Sequence, residues 1–149
     1  MEFIRITENR LYHILGVARK CYSLAKDKGY PEDFCKRMWM IGWLHDVGYE
    51  FSTNNGEHPE VGEEMLQLLG MRNSTKDASK VLHAIRTHGS AKHTMTSESM
   101  ILNTADLMIN SQGVDVGVNK RLSDILARYG EESNEYNNSV LMAKKLKLL

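Results

Sequence analysis

Two stretches of this sequence place histidine or aspartate among apolar residues. His45 and Asp46 directly follow the nearly unbroken apolar run "FCKRMWMIGWL", and Asp106 lies inside "MILNTADLMI". A buried carboxylate without a partner is costly, so it is normally neutralised by a pKa shift, a cationic group or a metal ion. Neutral imidazoles and carboxylates are the ligands of catalytic zinc, iron and manganese sites. We therefore interpret the His-Asp pair as part of a metal site.

Helical phase sorts the other histidines, because side chains advance by about 100° per residue around a helix. His58 and His88 share a helix face with apolar residues, whereas His83 falls on the opposite, solvent-facing side. His13 flanks the apolar stripe of the first predicted helix, and His93 lies in a polar loop where phase gives no information. We expect His58 and His88 to point inward and do not assign His83 to a site.

Each of these residues also has an ordinary structural interpretation. A single inward histidine is more often a hydrogen-bonded core residue than a ligand. Asp46 could cap a helix or pair with Arg37, and Asp106 could bond to Asn103 or to a backbone amide. The joint pattern favours metal binding, because four separate predicted helices each direct a metal-type ligand inward.

Predicted helices position all of these side chains. Only two prolines occur, and the glycines fall mostly between periodic segments, which favours an all-α fold. Thr7 and Ser74 are predicted N-caps, and Gly29 ends the first helix. The predicted helices cover residues 7–28, 31–46, 59–70, 74–89, 97–109, 119–130 and 138–149. They would form a compact single-domain bundle of six or seven helices, with the motifs within about 7–112 and helices in 119–149 completing or extending it.

Length and composition exclude several classes of protein. The 149 residues suit one domain, and 19 basic residues balance 19 acidic ones, so we do not expect nucleic acid as a partner. The sequence has no signal-peptide pattern and no apolar run of about twenty residues, which predicts a cytoplasmic protein that does not cross a membrane. Cys21 and Cys35 lie among apolar neighbours, so we expect two reduced core thiols.

The order His13, His45-Asp46, Asp106 resembles the H…HD…D signature of the HD-domain metal-dependent phosphohydrolases. The matching stretches are "RLYHILGVARKCYSLA", "IGWLHDVGYEF" and "NTADLMIN", and the resemblance covers about residues 7–112. It implies the all-α HD-domain fold and hydrolysis of a phosphomonoester, phosphodiester or nucleotide polyphosphate by metal-activated water. It also implies that His13, His45, Asp46 and Asp106 hold a first metal ion.

Two further stretches, "GEHPEVGEEML" and "VLHAIRTHGS", look like the additional histidine positions of some family members. The resemblance then implies that His58 and His88 hold a second ion or bind phosphate, with Asp46 bridging the two ions. These three residues are the expected catalytic group. The cofactor would be one or two ions of iron, manganese, zinc, nickel or magnesium.

The substrate implied by the resemblance is a small-molecule phosphate ester or nucleotide. Arg86, Lys92 and His93 could add positive charge near it, since cationic side chains are common phosphate partners. Many members carry lysine after the HD-x-Gly stretch, where this chain has Tyr49. The chain also lacks the Glu-Asp pair of guanosine-tetraphosphate hydrolases. It is most similar to small single-domain HD hydrolases, among them the symmetric dinucleoside-tetraphosphate hydrolases.

Two other functions remain open. Tyr49 at the lysine position is compatible with a catalytically inactive HD-type module that senses a nucleotide or a metal. A helical interaction domain is the other, with Trp39 and Trp43 marking a partner surface, although we expect these tryptophans to pack in the core. The amphipathic C-terminal helix could close the core or pair with a second copy in a homodimer.

Overall fold

The computed structural model describes residues 5–52, 57–71 and 76–149, and within them the fold is all-α, as predicted. A short 3₁₀ helix spans Val47–Glu50, and the only β-type pairing in the described residues is an isolated bridge between Ile109 and Asp115. The helices are α1 (Glu8–Asp27), α2 (Glu32–Leu44), α3 (His58–Leu68), α4 (Lys76–Thr87), α5 (Ser97–Asp106), α6 (Gly117–Tyr129) and α7 (Asn134–Lys145).

Helices α1 and α2 pack closely against each other and carry two of the candidate histidines. The side chain of Thr7 caps α1 by accepting a hydrogen bond from the Arg10 amide, as predicted. A Cβ at Gly42 of α2 would overlap the backbone of Ala18 in α1, so glycine permits the close approach of the two helices. This packing brings His13 of α1 next to His45, which caps the C-terminus of α2.

The main core lies between α1, α2, α3, α4 and α5. It is aliphatic with two buried thiols, and its members include Val17, Cys21, Cys35, Met38, Ile41, Leu82, Ile85, Leu102 and Ile109. Both cysteines are buried and free, as expected from the sequence. Burial of this much apolar surface is the dominant favourable contribution to folding, so this core fixes the helix ends that carry the candidate ligands.

Helices α6 and α7 form a smaller second core with the end of α5. Its buried members are Leu107, Leu122, Met142 and Ala143. Helix α7 begins four residues before the predicted position 138, because the side chain of Ser133 caps it through the Tyr136 amide. Helix α5 ends at Asp106, three residues earlier than predicted. The predicted cap Ser74 lies outside the described residues.

The expectation that Trp39 and Trp43 pack in the core is wrong. These residues are 36% and 37% exposed, and their rings contact each other edge to face on the outside of α2. The opposite face of α2, with Phe34, Met38 and Ile41, enters the core instead. A helix that is apolar on most sides therefore exposes one apolar face here.

No helix in the described ranges has the length and apolar character needed to cross a bilayer.

Candidate metal centre

Six candidate ligands meet at the base of one cleft, although they come from five different places in the chain. Each lies at or near the end of its element, except His13, which lies inside α1. His45 and Asp46 join α2 to the 3₁₀ helix, His58 begins α3, His88 follows α4 and Asp106 ends α5. The structure thus brings together all of the residues that the sequence predicts as metal ligands, which are His13, His45, Asp46, His58, His88 and Asp106.

The Asp46 carboxylate lies at the centre of this cluster. Its Oδ2 atom is 3.3 Å from Nε2 of His45 and 3.9 Å from Nε2 of His13. Its Oδ1 atom is 3.2 Å from Nε2 of His58 and 3.3 Å from Nε2 of His88. One carboxylate therefore presents a different oxygen to each of two histidine pairs.

Asp106 completes one side of the cluster. Its Oδ1 atom lies 2.8 Å from Nε2 of His13 and 3.6 Å from Nε2 of His45. The side chain is 26% exposed and faces the cleft, so it is less buried than the apolar sequence around it suggested. The alternative bond to Asn103 does not form, because Asn103 bonds to the Gly89 amide and the Ser99 carbonyl.

Backbone carbonyls orient three of the four histidines. The Nδ1 atoms of His45 and His88 lie 2.7 and 2.5 Å from carbonyls three residues earlier, at Gly42 and Ile85. His13 Nδ1 lies 3.1 Å from the carbonyl of Asn110. A carbonyl can only accept, so each Nδ1 donates its proton to the backbone and Nε2 is the ring atom that faces the cluster. Metal-binding histidines are commonly oriented in this way.

The charges in the cluster shift several pKa values. Burial lowers the pKa of His45, but Asp46 and Asp106 outweigh it and raise that pKa to about 10. Burial opposes ionisation of Asp46, yet His45, His58 and His88 hold the pKa of its carboxyl well below the usual range. Desolvation lowers the pKa of His88, with the neighbouring histidines acting in the same direction. Burial likewise opposes ionisation of Asp106, but His13 and His45 hold the pKa of its carboxyl well below the usual range, so both carboxylates are ionised.

The donor set fits a divalent metal. One group consists of His13, His45 and Asp106, and a second consists of His45, Asp46 and His88; within each, the ligand atoms lie within 4.8 Å of one another. The Nε2 atom of His45 belongs to both groups, is buried, and has no hydrogen-bond partner among the described residues. A buried imidazole nitrogen of this kind binds either a proton or a cation, and imidazole with carboxylate suits first-row transition metals.

The HD domain family model matches residues 10–111, which include every one of these ligands. The chain belongs to the HD domain family. HD domains are generally metal-dependent phosphohydrolases that bind divalent metals. No solved structure matches this chain.

Arg10 is a site residue that the sequence interpretation missed. Its Nη1 atom lies 3.2 Å from Oδ2 of Asp46, so Arg10 is the ionic partner for which the sequence suggested Arg37. The Arg37 side chain instead lies 3.6 Å from each of two other carboxylates, Asp77 and Glu98. Arg10 lies one helical turn before His13 on the same face of α1, and this i, i+3 spacing is the signal in the sequence that could have identified it.

Three side chains stack at the edge of the centre. The Arg10 guanidinium lies 4.0 Å from the centroid of the Tyr49 ring. The His58 ring also stacks on Tyr49, with 4.0 Å between centroids and 15° between planes. The position where many family members carry lysine thus holds an aromatic ring with an arginine against it. We call Arg10, Tyr49 and His58 the rim stack.

The three cationic residues suggested as substrate contacts lie in different surroundings. Arg86 and His93 line the cleft, but the Arg86 side chain is 57% exposed and lies 3.4 Å from Glu63. Lys92 is exposed and is not among the cleft residues. His83 is partly buried rather than fully solvent-facing, and it does not line the cleft.

The cleft above the centre has a volume of about 1220 Å³. Loops 89–95 and 110–118 contribute to its wall, through Gly89, Ser90, His93, Asn110 and Ser111. The sequence interpretation missed the contribution of α6 and α7, which includes Arg121, Asp124, Ile125, Arg128, Tyr129, Asn134, Glu135, Asn138 and Ser139.

Proposed function

We propose that this protein is a metal-dependent phosphohydrolase that cleaves a small phosphate ester or nucleotide at the His/Asp centre. Membership of the HD domain family and the fit of the donor set to a divalent metal support this function. We further propose that His13, His45, Asp46 and Asp106 hold one ion and that His58 and His88 hold a second.

The observation that carries the proposal is the position of the Asp46 carboxylate. Its two oxygens face two separate histidine pairs at 3.2–3.9 Å, which is the arrangement expected of a carboxylate that bridges two cations. The carbonyls of Gly42, Ile85 and Asn110 fix the tautomers around it. The protein thereby holds its ligands ready before an ion binds, which lowers the cost of ordering the site.

Bound metal would activate a water molecule and neutralise charge on the phosphoryl oxygens. The protein residues have the complementary task of positioning the ester. Arg10 presents its guanidinium at the rim, and the side chain is 28% exposed, so it can contact a phosphoryl oxygen from the cleft. We propose that Arg10 replaces the phosphate-contacting lysine that many family members carry where this chain has Tyr49.

The alternative, an inactive sensory module, was suggested by the missing lysine. The position of Arg10 against Tyr49 makes this argument weaker, because a cation is present at the same edge of the centre. The two functions differ in one measurable respect. An inactive module would bind phosphate compounds and be stabilised by them without forming product.

Hydrolysis of p-nitrophenyl phosphate and bis(p-nitrophenyl) phosphate tests the proposal. The protein would be stripped of metal, reloaded separately with each candidate ion, and compared with Asp46→Asn, which keeps the shape of the side chain. We expect turnover with at least one ion and a loss of about a thousandfold in the variant, because the bridging charge is gone.

A matched control is Asp27→Asn, which removes one exposed carboxylate at the far end of α1 and should keep wild-type turnover. Circular dichroism would verify that both variants keep their helical content. Full activity of Asp46→Asn, or phosphate binding without turnover by wild-type protein under every metal condition, would contradict the proposed function.

A further inference from the structure

Helix α6 presents a basic face to the cleft. Arg121, Asp124, Ile125 and Arg128 follow the i, i+3, i+4, i+7 spacing of a single helix face, and all four line the cleft. The two arginines are seven residues apart, which is about 10 Å along the helix axis. Both lie beyond residues 10–111, the range that matches the family, so family membership does not account for them.

The charge of this face is not balanced within the described residues. Asp124 pairs with Lys120 at 2.9 Å, whereas neither arginine forms an ion pair with a carboxylate in the described ranges. The Nε atom of Arg121 is buried there and has no hydrogen-bond partner. A buried donor without an acceptor is uncommon and costly in a native protein, and a ligand is one way to satisfy it.

The other cationic and anionic groups of the cleft do not compensate for this face. Arg10 and Arg86 already pair with carboxylates, at Asp46 and Glu63. Two further carboxylates line the cleft. Glu60 is exposed, so solvent and salt screen it, and Glu135 is half-buried; neither forms an ion pair with Arg121 or Arg128 in the described residues. The two arginines of α6 are therefore the cleft cations most available to an incoming anion.

The C-terminal end of α6 lies near the metal centre. Tyr129, the last residue of α6, lines the same cleft as Tyr49 and His58 of the rim stack. The guanidinium of Arg128 in turn lies 5.4 Å from the centroid of the Tyr129 ring. A cleft of about 1220 Å³ is also much larger than one phosphate group requires, since drug-sized ligands fill about 300–1,000 Å³.

We propose that Arg121 and Arg128 form a second anion subsite, which binds a negatively charged group of the substrate other than the one that is hydrolysed. This inference rests on the proposed function and narrows its substrate class to phosphate esters that carry a second anionic group, such as another phosphate. Guanidinium groups suit this task because they can form two parallel hydrogen bonds to a phosphate.

Non-hydrolysable ligands test the subsite at equilibrium. Alkylene bisphosphonates with two to eight methylene groups would be compared with alkylphosphonates of the same length, by calorimetry on metal-loaded protein. We expect at least one bisphosphonate to bind about tenfold more tightly than its monophosphonate partner. In Arg121→Gln/Arg128→Gln this gain should disappear, while the monophosphonate affinity stays within about twofold.

Arg19→Gln is the matched control, since it removes an equal charge from an exposed position on α1 that does not line the cleft. It should keep the full gain. Arg128→Gln alone changes one exposed position and should lose part of the gain in affinity. It therefore keeps the test valid if the double variant does not fold. The absence of a gain at every length, or an unchanged gain in the double variant, would overturn the subsite.

Failure of the subsite and failure of the proposed function give different results. If the proposed function is wrong, simple esters will not be hydrolysed. The bisphosphonate gain is a ratio of two dissociation constants, and its measurement needs no turnover.

Discussion

Two regions of the cleft are built in opposite ways. We call the candidate metal ligands the floor, and Arg121 and Arg128 of α6 the wall. On the floor, four histidines and two carboxylates lie within hydrogen-bonding or ionic distance of one another, and carbonyls fix three of the rings. On the wall, the described residues give Arg121 and Arg128 no carboxylate partner. The floor is thus organised before any ligand arrives, whereas the positive charge of the wall is not paired with a carboxylate in the described residues. This difference is what we expect of a cation site facing an anionic substrate.

The largest expected effect on stability comes from adding volume to the floor. A Cβ at Gly48 would overlap the carbonyl oxygen of His58, and both atoms are held by backbone, so neither can move cheaply. We expect Gly48→Ala to lower the free energy of unfolding by about 3 kcal/mol and to displace His58 from the centre. Urea unfolding and metal affinity would measure the two effects.

Gly62→Ala is the control for this substitution. Gly62 lies in α3 opposite Gly48, and the nearest atom to an added Cβ is 3.4 Å away, an ordinary contact. Alanine in a helix interior should be neutral or stabilise by up to about 1 kcal/mol. Equal stability of the two alanine variants would mean that the floor is not as tightly packed as the structure has it.

The second prediction concerns Arg10, the cation of the rim stack, which lines the cleft. We expect Arg10→Gln to lower kcat/KM for a simple phosphate ester by about a hundredfold, or about 2.7 kcal/mol, while the metal content stays near the wild-type value. Arg10→Lys should recover part of the loss because it restores the charge. If metal content falls in parallel with activity in both variants, Arg10 maintains the metal centre instead of contacting substrate.

A smaller effect is expected at Tyr49, the middle of the rim stack. Replacing the ring by leucine removes the stacking surface for His58 and for the Arg10 guanidinium, and we expect kcat to fall about tenfold. Tyr49→Phe keeps the ring and should stay within about twofold of wild type. Steady-state kinetics on the two variants checks this, and similar losses in both would assign the effect to the hydroxyl.

The sequence was sufficient to predict most of the floor. Helical phase pointed His58 and His88 inward, and the apolar surroundings of Asp46 and Asp106 indicated groups in need of a cation. Phase is reliable here because the main core surrounds these helices and fixes which face is buried. The pairing of Arg10 with Asp46 was not predictable in the same way, since it depends on how α1 packs against α2.

The wall could not be predicted from periodicity. Arg121 and Arg128 share a face of an amphipathic helix, and the polar face of such a helix normally contacts solvent. Only the packing of α6 beside the cleft shows that those arginines line it. Trp39 and Trp43 illustrate the reverse problem, because a helix that is apolar on most sides does not reveal which side stays exposed.

The central claim is that the His/Asp floor holds metal, and metal content per chain tests it most directly. Protein purified without a chelator or a histidine tag would be analysed by plasma mass spectrometry beside His45→Gln, because His45 belongs to both ligand groups. His83→Gln, a partly buried histidine outside the centre, is the control.

We predict one to two ions of a divalent metal in wild-type protein and in the control, and a large loss in His45→Gln. Wild-type protein that stays empty after anaerobic reloading with iron, manganese, nickel or zinc would contradict the account, as would full metal occupancy in His45→Gln.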